Sequence, residues 1–204
     1  MGGFEPDFSA EHAAMAQGLR DVCGIDEAGR GPWAGPVVAA AVVLNPDGIP
    51  PGLRDSKKLK EAQREALFEP IMASARVGVG IADVDRIDRD NILQATFWAM
   101  AQAVSQIGGV ELALMDGNRA PKLPCRTQTI VEGDGKSLSL AAASIIAKVT
   151  RDRIMLAHDV SYPEYGFARH KGYGTPFHQQ ALRQHGPCPL HRKSFAPIAA
   201  FFVR

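Results

Sequence analysis

The sequence has few of the features that mark membrane, secreted or zinc-binding proteins. No apolar run approaches the ~20 residues of a membrane-spanning helix, and the N-terminus shows no basic–apolar signal pattern. Only three cysteines occur, Cys23, Cys125 and Cys188. They are odd in number and far apart, which excludes zinc-finger spacing and does not favour a disulfide framework. These absences predict a globular cytoplasmic protein with reduced thiols and no membrane contact.

The chain also lacks a strong net charge, since the formal value is +1 at pH 7. The charges are nevertheless uneven. Residues 137–204 carry nine lysines and arginines against three acids, so the preceding part is acidic. An acidic part suits a metal ion and a basic part suits phosphates, although a chance asymmetry of solvated side chains gives the same count. With 204 residues, 46% of them hydrophobic, the length favours a single domain over 1–204.

The most informative stretch is 24–32, GIDEAGRGP. It reads as a strand ending in Asp26 and Glu27, a turn at Gly29–Gly31, and then a buried strand over 37–44. Adjacent acids in a buried setting repel each other unless a cation lies between them, and oxygen ligands suit a divalent metal. A surface turn capped by the two acids is the plain alternative. A dinucleotide-binding turn is disfavoured, because prolines interrupt the glycines and a strand follows.

Apolar periodicity and capping residues predict the remaining elements. Ser9 is expected to cap a short N-terminal helix, Asp90 a helix over 91–107, and Ser137 a helix over 138–158. The aspartates 83–90 are expected to form a solvated loop, because an EF-hand would need a glycine and a glutamate that are missing. Further strands are predicted at 76–82, 111–115 and 127–131, and further helices at 55–73 and 177–184.

Two more acids follow predicted strands. Asp116 ends the fourth strand just before Gly117, and Asp134 lies in the turn after the fifth. Functional groups of α/β proteins commonly lie at such strand ends. If the strands are neighbours, Asp26, Glu27, Asp116 and Asp134 converge, which suits two Mg²⁺ or Mn²⁺ ions and displacement at phosphorus.

Several motifs in one order resemble ribonuclease HII, the bacterial type 2 ribonuclease H. They are GIDEAGRGPWAGPVVAAA at 24–41, DSKKL at 55–59, MDG at 115–117, Gly133-Asp134, AASIIAKVTRD at 142–152 and HKGYGT at 170–175. The resemblance implies the α/β ribonuclease H-like fold, with a mixed five-stranded central sheet flanked by helices. Residues 1–20 would be an N-terminal extension, and about 160–204 a helical C-terminal region forming part of the nucleic-acid cleft.

The resemblance also implies roles for individual residues. Asp26, Glu27, Asp116 and Asp134 match the metal-binding catalytic carboxylates. Gly29-Arg30-Gly31 matches the loop whose backbone reads a ribonucleotide 2′-hydroxyl, and Tyr173 matches the tyrosine that packs on the adjoining deoxyribose. Lys57 matches a phosphate-contacting lysine. Asp152 fits the family motif or simply pairs with a basic neighbour. Trp33 stands where a smaller aliphatic residue is more usual.

The expected activity is endonucleolytic cleavage of the RNA strand of RNA–DNA hybrids, including 5′ of single ribonucleotides in duplex DNA. It would use two Mn²⁺ or Mg²⁺ ions, leave 3′-hydroxyl and 5′-phosphate ends, and serve ribonucleotide removal. The expected partner is the nucleic acid alone, with the protein a monomer and no clamp-binding motif evident at its C-terminus. The alternatives are another metal-dependent nuclease of related fold and a non-catalytic nucleic-acid-binding module, which four converging acids disfavour.

Overall fold

Five strands form one mixed sheet in the order β3-β2-β1-β4-β5. The strands are β1 (Val22–Ala28), β2 (Val37–Leu44), β3 (Ala75–Ala82), β4 (Leu112–Asp116) and β5 (Arg126–Ile130). The first three pair antiparallel, whereas β4 runs parallel to both β1 and β5. The structure is a computed structural model that describes residues 5–117, 119–131 and 133–202, without the side chain of Asp134. The expected mixed five-stranded sheet is confirmed.

The register of the two central strands fixes where the acids lie. Ile25 of β1 pairs with Met115 of β4 in a parallel ladder, and the next residue on each strand is an aspartate. Because parallel strands end at the same edge of a sheet, Asp26 and Asp116 lie side by side there. On the other side of β1, every residue of the apolar strand β2 is buried. The sheet edge that carries the two aspartates therefore belongs to a rigid core.

Two long helices cover the sheet. The helices are α1 (Ser9–Met15), α2 (Glu61–Ser74), α3 (Val84–Ile107), α4 (Leu138–Ser161), α5 (Phe167–His170), α6 (Pro176–His185) and α7 (Ala196–Ala199). Helix α3 packs with Cys23 and Ile25 on one face, and α4 covers the other through its alanines. A Cβ on Gly24 would lie 2.2 Å from the backbone of Ser139, so β1 needs glycine there for α4 to approach. No helix within the described residues is long and apolar enough to cross a membrane.

Four local predictions are wrong, and three of them concern α1 and α3. Residues 84–90 are helical rather than part of a loop, and Asp83 caps α3 by accepting from the Arg86 N–H. The helix is kinked at Asn91 (φ 65°), whose side chain accepts from the N–H groups of Leu93 and Gln94, so it replaces Asp90 as the local cap. Ser9 is the first residue of α1 rather than its cap, which is Phe8.

The helix expected over 55–73 begins later, at Glu61. The preceding Ser56–Lys58 is a separate 3₁₀ turn capped by Asp55, whose carboxylate accepts from the Lys57 N–H. Lys57 therefore lies in this 3₁₀ turn and not at the start of α2.

The chain after α4 wraps back over the glycine-rich turn. Helices α5, α6 and α7 surround a cluster that includes Ala34, Met155 and Phe167, all fully buried. A backbone bridge joins Ala34 to His191. The expected helical C-terminal region is therefore present, and it is attached to the turn that follows β1.

Candidate active site

A cleft of about 280 Å³ lies at the carboxyl ends of β1 and β4. Three of the four predicted carboxylates line it, as do the glycine-rich turn, the predicted lysine and the predicted tyrosine. Its lining residues are Asp26, Glu27, Ala28, Gly29, Arg30, Gly31, Ser56, Lys57, Arg64, Asp116, Ser144, Lys148, Arg151 and Tyr173. Of the predicted site residues, Asp134 alone cannot be placed in this way, because its side chain lies outside the described part of the structure.

The two strand-end aspartates are held by the backbone. Asp26 is only 8% exposed, and its Oδ1 accepts from the Glu27 N–H at 2.8 Å. Asp116 accepts from the N–H of Gly133 at 2.8 Å through its Oδ1. That hydrogen bond ties β4 to the 3₁₀ turn Gly133–Gly135, so the backbone that carries Asp134 lies against Asp116.

Burial and basic neighbours shift the pKa of Glu27 in opposite directions. Burial raises the pKa of Glu27 above its ordinary value, and the nearby Asp116 adds to that effect, whereas Arg30 and Lys57 oppose it. One carboxylate oxygen lies 3.3 Å from an Arg30 guanidinium nitrogen. Among the described side chains, no three acids, histidines or cysteines form a ready-made metal site. The acids thus share one cleft, with Glu27 turned towards Arg30.

Two buried arginines lie beneath the glycine-rich turn. Arg192, from the C-terminal region, is fully buried and donates to the carbonyl oxygens of Gly29 at 2.6 Å and Arg30 at 3.0 Å. It also donates to the carbonyls of Gly35 and Pro36. Arg151 of α4 donates to the Ala34 and Pro36 carbonyls. Gly29, with φ 98°, leaves no room for a Cβ, which would lie 2.0 Å from Arg151 Nε.

Tyr173 faces the same turn from the loop after α5. Its ring edge lies 3.6 Å from where a Cβ on Gly31 would be, and the side chain is 49% exposed. The Tyr173 carbonyl accepts from the N–H of Thr175 at 2.8 Å and bonds His178 Nδ1 at 2.9 Å. The loop that carries Tyr173 is thus anchored through its backbone, while the ring is left to face the cleft.

Trp33 connects this loop to the glycine-rich turn. The backbone N–H of Trp33 donates to the Gly172 carbonyl at 2.9 Å. The indole ring fills the space beside Gly174, where a Cβ on that glycine would lie 2.2 Å from the ring. The ring also lies 5.8 Å from that of His178. The unusual tryptophan therefore packs beneath the tyrosine loop.

Lys57 and Asp152 are placed differently by the fold. Lys57 lines the cleft and electrostatically favours the charged form of Glu27. Asp152 is not among the cleft-lining residues. Both of its oxygens accept from the Lys148 ammonium, at 2.6 and 2.7 Å, so it is paired with a basic neighbour, as one of the two interpretations predicted. Burial nonetheless lowers the pKa of Lys148.

The sequence did not single out Arg192, nor Glu11 in the N-terminal extension. Glu11 is fully buried, and its Oε1 accepts from the Ser137 hydroxyl and the Ser139 N–H at the start of α4. Both residues bind groups more than 100 positions away in the chain. No local pattern in the sequence encodes such contacts.

Comparisons with known proteins show the family to which the chain is similar. The model of the family "Ribonuclease HII" matches residues 23–198. Ribonuclease HII of Azorhizobium caulinodans is 55% identical over 95% of this chain and 75% of its own length. The protein of that name from Sinorhizobium medicae is 55% identical over 95% of this chain and 90% of its own length.

A solved structure titled as the PCNA:RNase HII complex from Archaeoglobus fulgidus has the same fold. Its TM-score is 0.73 at 27% identity, and the match covers 85% of this chain and 94% of that one. The sheet and its flanking helices are therefore the ribonuclease H-like fold. On the family model and these relatives together, the chain belongs to the ribonuclease HII family and is an endoribonuclease with ribonuclease H activity on RNA–DNA.

Proposed function

We propose that this enzyme also cuts 5′ of a single ribonucleotide embedded in duplex DNA, leaving 3′-hydroxyl and 5′-phosphate ends. The observation that carries the proposal is the shared cleft. Asp26, Glu27 and Asp116 line it together with the turn Gly29–Gly31 and with Tyr173. Groups suited to hydrolysis and groups suited to reading one ribose thus lie within reach of one nucleotide. Such an activity would serve ribonucleotide removal from DNA.

The carboxylates are the proposed metal-binding and catalytic residues, with Asp134 as a fourth. Enzymes of this family depend on divalent metal ions. The acidic donors that line the cleft are carboxylate oxygens, which suit hard cations such as Mg²⁺ or Mn²⁺. Burial, with a smaller effect of Asp116, raises the pKa of Glu27, and a bound cation favours the charged form of such a carboxylate. Asp26, Glu27, Asp116 and Asp134 would hold two such ions, which would supply an activated water and stabilisation of the leaving oxygen in an in-line displacement.

The remaining cleft residues are proposed to bind the substrate. The backbone of Gly29, Arg30 and Gly31 reads the 2′-hydroxyl, the group that distinguishes RNA from DNA. The Tyr173 ring packs on the adjoining deoxyribose, and Lys57 contacts a phosphate. The close approach of Gly31 and Tyr173 supports one nucleotide being held between them.

The whole chain is proposed to act as one ribonuclease H-like unit, with the C-terminal region forming part of the nucleic-acid cleft. Arg192 supports this, because it binds the turn that lines the cleft. The three cysteines are free thiols, which is typical of a reducing compartment, so we propose a cytoplasmic location. The PCNA complex belongs to the Archaeoglobus protein, and we propose the nucleic acid as the only required partner.

The test is cleavage of a labelled duplex that contains one ribonucleotide, with the product ends mapped. We expect one cut 5′ of the ribonucleotide, dependent on added Mg²⁺ or Mn²⁺ and abolished by EDTA. An all-DNA duplex of the same sequence is the control and should remain intact. Cleavage of an RNA–DNA hybrid without cleavage at the lone ribonucleotide would contradict the proposal.

A further inference from the structure

The buried guanidinium of Arg192 is committed to the backbone of the glycine-rich turn. Its five hydrogen bonds all end on carbonyl oxygens, and two of these belong to Gly29 and Arg30. Phe195 packs against the guanidinium at 5.0 Å. Burial lowers the pKa of Arg192 to about 9, so the group remains a cation at neutral pH. A buried cation that donates its hydrogen bonds to carbonyl oxygens fixes the orientation of those peptide groups.

Because the peptide bond is planar, fixing the two carbonyl groups also fixes the direction of the N–H groups in the same peptides. No cis peptide bond occurs in the described residues, and in a trans peptide the N–H points opposite to the C=O. The Gly29 carbonyl shares its peptide with the Arg30 N–H, and the Arg30 carbonyl shares its peptide with the Gly31 N–H. Since both carbonyls point inward to Arg192, both N–H groups point outward, on the side of the turn that lines the cleft.

Neither of these two N–H groups bonds an acceptor within the described part of the chain. Two successive N–H groups facing one way form a small concave site for an oxygen acceptor. Gly29 makes this possible, because its φ of 98° is a left-handed conformation that other residues rarely adopt.

We propose that Arg192 is a positioning residue for ribonucleotide recognition, holding the Arg30 and Gly31 N–H groups where they meet the ribose 2′-hydroxyl oxygen. The inference rests on the proposed function and assigns part of its specificity to a residue far from the cleft in sequence. Arg192 itself is fully buried and touches no substrate. Loss of the guanidinium frees the two peptides to rotate. The enzyme then loses its preference for a ribonucleotide, whereas its affinity for duplex nucleic acid in general changes less.

The test measures binding in the Asp116→Asn background, to duplexes with and without one ribonucleotide. The readout is the ratio of the two Kd values, which a reduced folded fraction does not alter because both substrates are affected equally. Arg192→Lys keeps the positive charge but lacks the planar guanidinium with its several N–H donors. We expect the ratio of the two Kd values to fall by roughly fivefold to tenfold, the change in affinity that corresponds to about one hydrogen bond. Arg86→Lys is the control. It alters an arginine of α3 that pairs with Asp90 and lies over the Trp98 ring, outside the set of cleft-lining residues, and it should change the ratio less than twofold.

A second pair of variants covers the case in which Arg192→Lys does not fold, as monitored by thermal melting. Gly31→Pro removes one of the two N–H groups directly, whereas Gly31→Ala keeps it and makes only an ordinary contact with Tyr173. The proline variant should lose the preference and the alanine variant should retain most of it. A folded Arg192→Lys or Gly31→Pro protein with the parental ratio overturns the inference alone. An Asp116→Asn parent that binds both duplexes equally also overturns this inference alone, whereas a wild-type enzyme that does not cleave at the lone ribonucleotide overturns the proposed function and this inference with it.

Discussion

Asp116 accepts a hydrogen bond that holds the backbone and is also proposed to bind a metal ion. Substitution by asparagine separates these two roles. The Asp116 Oδ1 accepts the Gly133 N–H at 2.8 Å, which an asparagine oxygen also does, but asparagine lacks the negative charge that binds a cation. We expect Asp116→Asn to lower the cleavage rate at least about 100-fold with little change in melting temperature. Gel-based cleavage and binding assays check this. Near-parental turnover would argue strongly against this site.

Tyr173 offers a second test at the residue scale. Its ring is half exposed over the glycine-rich turn, while its backbone holds the loop, so removal of the ring should spare the fold. We expect Tyr173→Ala to reduce cleavage at a lone ribonucleotide by about tenfold, the order of one stacking contact. Tyr173→Phe keeps the ring and serves as the matched control. Equal activity of the alanine variant and the parent would remove Tyr173 from the site.

At the scale of elements, the N-terminal helix supports the start of α4. Glu11 of α1 is buried and binds Ser137 and Ser139, and Asp7 exchanges backbone hydrogen bonds with residues 136 and 138. These contacts flank the turn Gly133–Gly135 that meets Asp116. The extension therefore acts on the site through the helix rather than through its own chemistry.

Glu11→Ala should consequently destabilise the protein. It leaves a buried hydroxyl and a buried N–H without their acceptor, which costs about 2 kcal/mol. Glu11→Gln keeps an acceptor oxygen and should cost less. Urea unfolding of the two variants measures the difference, and the reverse order of stability would contradict the account. A loss of cleavage by Glu11→Ala at temperatures where it stays folded would show that the turn has moved.

The elements differ in how far sequence predicts them. The five strands are recognisable because each is a short apolar or alternating run ended by polar residues, and Ser137 was correctly identified as the cap of α4. The start of α3 was missed, because the aspartates at 83–90 resemble a solvated loop. There Arg86 pairs with Asp90 along the helix and lies over the Trp98 ring at 3.9 Å, contacts that exist only once the helix has formed.

The site shows the same division. The proposed carboxylates and the glycine-rich turn belong to short motifs at or just after strand ends, so spacing and family resemblance predict them. Arg192 and Glu11 bind backbone groups 163 and 128 positions away, respectively. Those contacts are set by tertiary packing, which a single sequence does not reveal.

At the scale of the whole molecule, three buried histidines join the C-terminal helices to the tyrosine loop. The His191 and His178 Nε2 atoms lie 2.9 Å apart, and the rings of His178 and His170 stack at 4.5 Å. The Cys188 N–H donates to His191 Nδ1 at 2.9 Å, so His191 Nε2 carries the proton. It donates to His178, whose Nδ1–H then donates to the Tyr173 carbonyl. This arrangement requires both rings to be neutral.

Acid should therefore weaken the fold before the carboxylates titrate. Burial lowers the pKa values of His178 and His191 to about 4, against about 6.5 in an unfolded chain. Between these values the unfolded state binds more protons, so the free energy of unfolding falls as pH drops from 6.5 towards 4, on the order of 3 kcal/mol per histidine over that range. The raised pKa of Glu27 acts in the opposite direction but is a single group.

Urea midpoints measured between pH 7 and 5 test this expectation, because most carboxylates remain ionised there. His191→Gln should be less stable at pH 7, and its urea midpoint should depend less on pH, because one histidine with a lowered pKa has been removed. His185→Gln, at an exposed position of α6, should keep the parental slope. If the protein gains stability on acidification, or if His191→Gln keeps the full slope, the neutral pair does not hold the C-terminal helices against the tyrosine loop.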